Sequence, residues 1–199
     1  MAALLLAVAL GYALGAVPSG VLVARLLGVA ALHHAGSTHT GGTNVARVTG
    51  KAWAGGVTVL LDMGLAALAV WGASRLSDSA WAAPLAGAAA VLGHNWSAYI
   101  GFRGGIGLST IIGALLAQAP WQTAILVLVC VAVWWGLRAV LHHSARSTIL
   151  ALCLVPVVFC FLRQPTPLMV GGGIAAGLAA LKSLPDWNRR YETSQPSGR

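Results

Sequence analysis

Seven long apolar stretches with almost no charge are the feature that most constrains this sequence. They cover residues 3–27, 52–74, 80–98, 107–118, 121–138, 147–163 and 167–182. Because a helix rises about 1.5 Å per residue, about 20 apolar residues are needed to cross a hydrocarbon core of about 30 Å. Hydrophobic residues make up 58% of the chain and charged residues only 8%, so a water-soluble globule of this size could not cover its own surface. The sequence therefore predicts an all-α, polytopic membrane protein with about seven transmembrane helices.

Two of the stretches are irregular. Pro18-Ser19-Gly20 interrupts the first stretch and predicts a kink there. Stretch 107–118 has only about 12 residues, so it either spans with a tilt or is re-entrant, and six spans would leave both termini on one side. We expect residues 1–192 to form a single membrane-embedded domain and residues 193–199 to form a short polar tail.

The distribution of Lys and Arg predicts the orientation. With the N-terminus outside, ten of the 12 cations fall on the cytoplasmic side, and only Arg75 and Arg163 face out. Short loops rich in Lys and Arg stay in the cytoplasm, so we expect a multi-pass protein of the inner (plasma) membrane with a cytoplasmic C-terminus and a cytoplasmic active face. The inner cations are Arg25, Arg47, Lys51, Arg103, Arg138, Arg146, Lys182, Arg189, Arg190 and Arg199. So few cations exclude a typical nucleic-acid surface, and no nucleic-acid partner is expected.

The first dense group of polar residues lies between the first and second stretches. Residues 35–47 contain three glycines, four hydroxyls, an amide, the imidazole of His39 and the guanidinium of Arg47. Glycines let backbone N–H groups converge on an anion, hydroxyls add donors, and an arginine offers a bidentate cation. This composition suits a phosphate site, although a plain connecting loop can have the same composition.

A second glycine-rich group follows the third stretch. It consists of Gly93-His94-Asn95-Trp96 and of residues 101–107, which read Gly-Phe-Arg-Gly-Gly-Ile-Gly. Glycines and Arg103 directly before a helix start again suit an anion, and a flexible connector with an interfacial arginine is the alternative. If both groups lie on one membrane face, they could clamp a phosphate-bearing substrate between them. His94 fits either a structural donor or a proton relay.

Asp62 is the only acid inside an apolar stretch, and an ionisable group there is a functional hypothesis by default. We expect it to be structural, accepting a hydrogen bond from Arg47 or from a backbone N–H of the first loop. A third polar group, residues 142–148, begins the sixth stretch, where Ser144 or Ser147 could cap the helix. Metal-ligand spacings and Ser-His-Asp arrangements are not recognisable, so we expect no metal and no cofactor.

These groups, in this order, resemble the motifs of the bacterial acyl-phosphate-dependent glycerol-3-phosphate acyltransferases of the PlsY type. The likeness is carried by residues 12–28 with residues 36–47 and Leu60-Leu61-Asp62, by Gly93-His94 with residues 101–107, and by Ser144-x-x-Ser147. We refer to residues 36–47 as the first motif, to Gly93-His94 with 101–107 as the second, and to residues 144–147 as the third.

The resemblance implies an integral membrane enzyme that transfers a fatty acyl group from acyl-phosphate to the sn-1 hydroxyl of glycerol 3-phosphate. The product would be lysophosphatidic acid for phospholipid synthesis. Such an enzyme would work among membrane lipids, and we expect it to be a monomer.

The residue chemistry and the resemblance together predict the site. Ser37, Arg47, His39 and Asn188 are expected to be catalytic. Substrate-binding roles are expected for Gly36, Gly41, Gly42, Thr43, Asn44, His94, Arg103, Gly104, Gly105, Gly107, Ser144 and Ser147.

The chain departs from the family's pattern at four positions. His39 stands where an asparagine is expected, Ile106 and Leu65 stand where lysines are expected, and Pro185 replaces a histidine three residues before Asn188. Losing one charge-assisted contact costs about 1.5–3 kcal/mol.

Two explanations of these departures stay open. Either nearby cations such as Arg103, Arg189 or a protonated His39 compensate, or the chain is a weakened relative that binds phosphorylated metabolites or lipid headgroups as a sensor or scaffold. A small transporter fits less well, because a transport path needs several ionisable residues across the bilayer and Asp62 is alone.

Overall fold

The computed structural model describes residues 1–189. In that range the chain forms α-helices joined by short 3₁₀ turns, with no β-strand. The helices are α1 (Ala2–Gly15), α2 (Ser19–Leu26), α3 (Gly42–Thr49), α4 (Ala52–Leu76), α5 (Ala82–Asn95), α6 (Leu108–Leu116), α7 (Pro120–Leu141), α8 (Ser144–Leu152), α9 (Leu154–Phe161) and α10 (Thr166–Ser183). The predicted polar tail 193–199, with Arg190 and Arg199, lies outside the described residues.

All seven predicted apolar stretches contain helix, which confirms the all-α architecture. The segments long and apolar enough to cross a membrane are Ala2–Leu26, Ala52–Leu76, Pro120–Leu141, Ser144–Phe161 and Thr166–Asp186. The other two stretches correspond to α5, with 14 residues, and α6, with 9 residues. At about 1.5 Å per residue these helices extend over about 21 Å and about 14 Å, less than a full hydrocarbon core.

Prolines explain the breaks in two of the long segments. The first segment is interrupted between Gly15 and Ser19, as Pro18 predicts. The segment Ser144–Phe161 is divided at Cys153, because the Pro156 ring has no N–H for the carbonyl four residues earlier and crowds it.

The start of α8 corrects one prediction. The Nδ1 atom of His143 accepts from the Arg146 N–H at 3.5 Å, so His143 caps the helix. The Ser147 hydroxyl instead donates to the His143 carbonyl at 2.9 Å. The prediction that Ser144 or Ser147 is the cap is therefore wrong.

The short helix α5 is the centre of the bundle. It packs against α1, α4, α6 and α10, and most of its residues are buried. Lipid is as apolar as the helices, so helices associate through close packing of small residues rather than through hydrophobic burial. In α1, Gly11 and Gly15 form a Gly-x-x-x-Gly pair, and a Cβ at either would overlap the backbone of Ala86 or Ala90 in α5.

We expect Gly15→Ala to lower the thermal stability of the protein. The added methyl group must displace the α5 backbone, and overpacking of this kind costs about 1–3 kcal/mol. Gly64→Ala is the matched control, because Gly64 faces open space and alanine favours a helix interior by about 1 kcal/mol over glycine. Thermal unfolding of the purified protein in detergent measures both. Equal melting temperatures for the two variants would contradict the close α1–α5 contact.

Candidate active site

The motifs meet at one end of the bundle. The Thr40 N–H points at the Gly104 carbonyl at 3.4 Å, and Nη1 of Arg103 lies 3.5 Å from Nε2 of His34. The two glycine-rich loops therefore touch, as expected for loops that share a face. We call this end, formed by residues 28–41, 96–107 and 184–189, the motif end.

Asn44 organises the first motif. Its buried side chain accepts from the Ser37 N–H at 2.8 Å and donates to the carbonyls of Ala35 at 3.0 Å and His39 at 2.8 Å. Gly36 has a φ of +60° and a Cβ there would overlap the Asn44 amide oxygen, so this position favours glycine. These contacts wrap the loop around the start of α3, and the Asn44 amide is committed to that task.

Three other polar side chains of the first motif differ in exposure. Ser37 is buried, whereas Thr43 and Arg47 are exposed. Thr43 and Arg47 are one turn apart in α3, so they share one face of that helix. The Ser37 N–H is used by Asn44, and its hydroxyl makes no hydrogen bond within residues 1–189.

Gly41 and Gly42 act through the backbone. The Gly41 carbonyl accepts from the N–H groups of Asn44 and Val45 in the first turn of α3. A Cβ at Gly42 would overlap the backbone of Gly55 in α4. Gly42 thus lets α3 cross α4 at close range, which fixes the direction in which Thr43 and Arg47 point.

Asp62 joins four helices. The Ser19 hydroxyl of α2 and the Ser109 hydroxyl of α6 both donate to its carboxylate, the latter at 3.0 Å. Nδ1 of His94, in α5, lies 3.6 Å from its Oδ1. The prediction that Arg47 or a backbone N–H of the first loop donates to Asp62 is therefore wrong, because two serine hydroxyls are the donors instead.

The glycines of the second motif fold back on the end of α5. The Gly105 N–H donates to the His94 carbonyl at 3.1 Å. A Cβ at Gly104 would overlap that carbonyl, and one at Gly105 would overlap Nε2 of the His94 ring. Gly107 has a φ of +91°, and its Cβ would lie 2.7 Å from the Asn95 amide oxygen. Gly104 and Gly105 therefore allow His94 to lie beneath the turn, and Gly107 allows the turn to pass close to Asn95.

The remaining side chains of the second motif point elsewhere. Arg103 is exposed next to His34, and its carbonyl accepts from the Ser97 N–H at 3.0 Å. Ile106 is half-buried and packs on the apolar core shared by α5, α6 and α10. The turn from Gly104 to Gly107 thus carries no cation of its own.

The C-terminal segment is tied to the first motif by a residue that sequence reasoning missed. Nε2 of His39 lies 2.6 Å from Oδ2 of Asp186, which is 4% exposed. Nη1 of Arg189 lies 3.6 Å from the other carboxylate oxygen. Pro185 stands in the same 3₁₀ turn. A usable signal was present, because Asp186 is the only acid between Asp78 and Glu192.

Asn188 is tied to the third motif. Nη2 of Arg146 donates to the Asn188 amide oxygen at 2.8 Å, and its Nε donates to the Trp187 carbonyl at 2.9 Å. The guanidinium also lies 5.4 Å from the centre of the Trp187 ring. Ser144 is half-buried at the start of α8, whereas Ser147 is fully buried with its hydroxyl on the backbone of its own helix.

Comparison with known proteins agrees with these motifs. Residues 5–190 match the family model for glycerol-3-phosphate acyltransferase. The chain belongs to the glycerol-3-phosphate acyltransferase family. The enzyme of that name from Paramagnetospirillum magneticum is 38% identical over 165 residues, which is 83% of this chain and 79% of that protein. The one from Rhizobium etli is 33% identical over 194 residues, covering 98% and 88%.

Two solved structures share the fold. Both are crystal structures of PlsY, an integral membrane glycerol 3-phosphate acyltransferase. The glycerol 3-phosphate form has a TM-score of 0.79 and 26% identity, and covers 94% of this chain and 90% of that one. The lysophosphatidic acid form has a TM-score of 0.77 and 25% identity over the same shares. This chain is thus an integral membrane protein of the acyltransferase family.

We expect Asp62→Ala to destabilise the protein by about 3–5 kcal/mol, because the variant leaves the buried Ser19 hydroxyl, the half-buried Ser109 hydroxyl and the His94 ring without their partner. Asp78→Ala is the matched control, since Asp78 is exposed and surface changes of this kind are worth about 0.5 kcal/mol or less. Thermal unfolding in detergent compares the two. A loss of stability no larger in Asp62→Ala than in Asp78→Ala would show that Asp62 does not hold the helices together.

Proposed function

We propose that this protein transfers an acyl group from acyl-phosphate to the sn-1 hydroxyl of glycerol 3-phosphate, giving lysophosphatidic acid and inorganic phosphate. The observation that carries the proposal is the contact between two glycine-rich loops, Thr40 against Gly104 and Arg103 beside His34. Glycine-rich loops suit phosphates, and this reaction needs two phosphates to be held side by side. The two PlsY crystal structures are the glycerol 3-phosphate form and the lysophosphatidic acid form, which correspond to the proposed acceptor and the proposed product.

The reaction asks for positioning more than for a covalent intermediate. Acyl-phosphate is an activated mixed anhydride, so the acceptor oxygen can attack the carbonyl carbon directly. A carbon–oxygen ester bond forms, the bond between that carbon and the phosphate oxygen breaks, and phosphate leaves with the electron pair. Holding both anions in line, with donors aimed at the carbonyl oxygen, supplies most of the rate enhancement.

The two phosphates are assigned to the two motifs. The first motif would bind one phosphate through its backbone N–H groups, the Ser37 hydroxyl and the guanidinium of Arg47. The turn at Gly104-Gly105, with Arg103, would bind the other. The buried position of Ser37 and the exposed face of α3 that carries Arg47 support this division.

The acceptor proton can leave through an imidazole. His94 contacts Asp62 with Nδ1 and packs its Nε2 against Gly105. His39 contacts Asp186 with Nε2. A carboxylate on one ring nitrogen fixes the tautomer and leaves the other nitrogen to exchange a proton, so either ring fits a relay role. Asn188, held by Arg146, belongs to the wall of the same site.

An apolar cavity offers a place for the acyl chain. It measures about 230 Å³, and α6, α7, α8 and α9 line it, with Leu108 at the start of α6 among the lining residues. Leu108 directly follows Gly107, so the cavity begins next to the turn proposed for a phosphate. An acyl-phosphate could therefore enter from the bilayer with its chain between the helices and its phosphate at the motif end.

The proposed arrangement in the membrane follows from the cations. We assign seven crossings, including the short helices α5 and α6, with the N-terminus outside and the C-terminus in the cytoplasm of the cell. The motif end then faces the cytoplasm at the inner (plasma) membrane. Residues 1–192 act as one domain, and a monomer contains the whole proposed site.

Replacing Ser37 or Arg47 by alanine should reduce acyl transfer by at least about a hundredfold, because each removes a donor aimed at a reacting anion. Radiolabelled glycerol 3-phosphate and palmitoyl phosphate, supplied to membranes containing each variant, report the product. Ser79→Ala and Arg75→Ala are the matched controls. Arg75 lies in the last turn of α4, far from the motif end, and Ser79 lies in the loop that follows α4. Wild-type turnover in Ser37→Ala or Arg47→Ala would overturn the assignment.

Cysteine labelling tests the orientation. In a variant whose three cysteines are replaced, Asp78→Cys should react with a membrane-impermeant maleimide in intact cells, and Lys51→Cys should react only after the cells are opened. The two residues flank α4, so one crossing separates them in the proposed topology. The reverse pattern of labelling would invert the topology, and equal labelling would remove that crossing.

A further inference from the structure

Lys182 lies next to the second motif although it is far from it in sequence. It is in the last turn of α10. The Asn95 amide donates to the Leu178 carbonyl at 3.2 Å, which ties α10 to the end of α5. Because Lys182 follows Leu178 by one helical turn, it lies on the same face of α10. Lys182 therefore lies near the end of α5, which is also where Gly104 and Gly105 fold over His94.

The surroundings of Lys182 contain an aromatic ring and the imidazole of His94. Nζ lies 5.0 Å from the centre of the Trp96 ring, and His94 is an electrostatic neighbour of both Lys182 and His39. The nearby acids are paired with the imidazoles, Asp62 with His94 and Asp186 with His39. Within residues 1–189 the Lys182 ammonium makes no ion pair with a carboxylate. A half-buried ammonium without a carboxylate partner favours the binding of an anion.

The second motif needs the cation that Lys182 can supply. Arg103 is exposed beside His34, and Ile106 packs into the apolar core. The Gly105 N–H is used by the His94 carbonyl, and the turn has no half-buried positive charge of its own. The neighbouring cations of the C-terminal part have other partners, with Arg146 on Asn188 and Arg189 on Asp186.

We propose that Lys182 is a phosphate ligand, and that its ammonium binds the substrate phosphate held at the Gly104-Gly105 turn. The inference rests on the proposed function, because it assigns a phosphate of that reaction to this turn. The Trp96 ring holds the lysine stem and ammonium in place by a cation–π contact. The phosphate would then lie between the Lys182 ammonium of α10 and the turn at Gly104-Gly105.

Lys182→Met removes the charge and keeps a long apolar side chain, so it tests the role directly. For the purified protein in detergent, we expect the KM of the substrate held at this turn to rise about ten- to a hundredfold, as the loss of one charge-assisted contact implies. Both KM values, for glycerol 3-phosphate and for palmitoyl phosphate, are measured. Lys182→Arg, which keeps the charge, should retain most of the affinity.

Lys51→Met is the matched control. Lys51 also lies over a tryptophan, with Nζ 5.9 Å from the Trp53 ring centre, but it stands at the start of α4 and is exposed. Its removal should leave both KM values unchanged. If Lys182→Met also leaves both KM values unchanged while its melting temperature matches that of Lys51→Met, then Lys182 is an interfacial anchor and the proposal is wrong.

A relocated charge provides a second, independent measurement. Ile106→Lys places an ammonium on the turn, so in the Lys182→Met background it should restore at least part of the lost affinity, and in the otherwise unchanged protein it should add little. Equal effects of Ile106→Lys in both backgrounds would contradict a shared phosphate site.

Direct binding separates this inference from the proposed reaction. The stabilisation of the protein by glycerol 3-phosphate and by inorganic phosphate, measured as the rise in melting temperature, does not require turnover. A wild-type protein that is stabilised by these ligands through Lys182 but transfers no acyl group would refute the reaction and keep the phosphate site. Normal turnover of the Lys182→Met variant would keep the reaction and refute the role of Lys182 as a phosphate ligand.

Discussion

The buried carboxylate of Asp62 is the interaction on which the motif end depends. It receives hydroxyls from Ser19 and Ser109 and faces the ring of His94, so α2, α4, α5 and α6 meet at one point. In lipid, an unpaired polar group cannot bind water instead, so each group of such a cluster that is left unpaired costs several kcal/mol. The position of His94 follows from it, and the glycine turn of the second motif rests in turn on His94.

The rest of the bundle is held together by close contacts of small apolar residues rather than by polar groups. Around α5 the contacts are made by glycine and alanine, with Gly11, Gly15 and Gly93 placing backbone against backbone. This close packing leaves little freedom for α1 and α5 to slide, since each glycine fits against one neighbour. The polar cluster and the small-residue contacts therefore restrict the same helices from two directions. That rigidity suits the proposed reaction, in which the site would hold two anions in line.

Much of the fold could be predicted from local sequence, because the signals are local. Apolar runs give the helices, and Pro18 gives the break in the first of them. The partners of Asp62 could not be predicted, since Ser19 and Ser109 lie 43 and 47 residues away along the chain and nothing in either segment marks it as a partner. The His39–Asp186 contact spans 147 residues; the isolation of Asp186 among uncharged residues made it notable but did not indicate His39 as its partner.

The resemblance implies other residues at His39, Ile106 and Pro185, and these three positions all lie at the motif end. His39 has a buried acid, Asp186, as its partner, and Asp186 directly follows Pro185. A hydrogen-bonded His–Asp pair thus closes the loop. Ile106 packs on the apolar core, so a lysine at this position would change the packing beneath the turn as well as the charge. The three differences that the resemblance implies therefore concern one region of the structure.

Scarcity of charge also determines how an anion can be held here. At the motif end, Arg146 is bound to Asn188 and Arg189 lies against Asp186, so these cations serve structure first. Neutral groups of the two glycine-rich loops would then carry much of the stabilisation in the proposed reaction. Fixed dipoles need no rearrangement when charge develops on the substrate, whereas long cationic side chains must be ordered first. A chain with few cations and many glycines is therefore suited to phosphate chemistry when its loops are fixed from beneath, as Asn44 fixes the first motif and His94 the second.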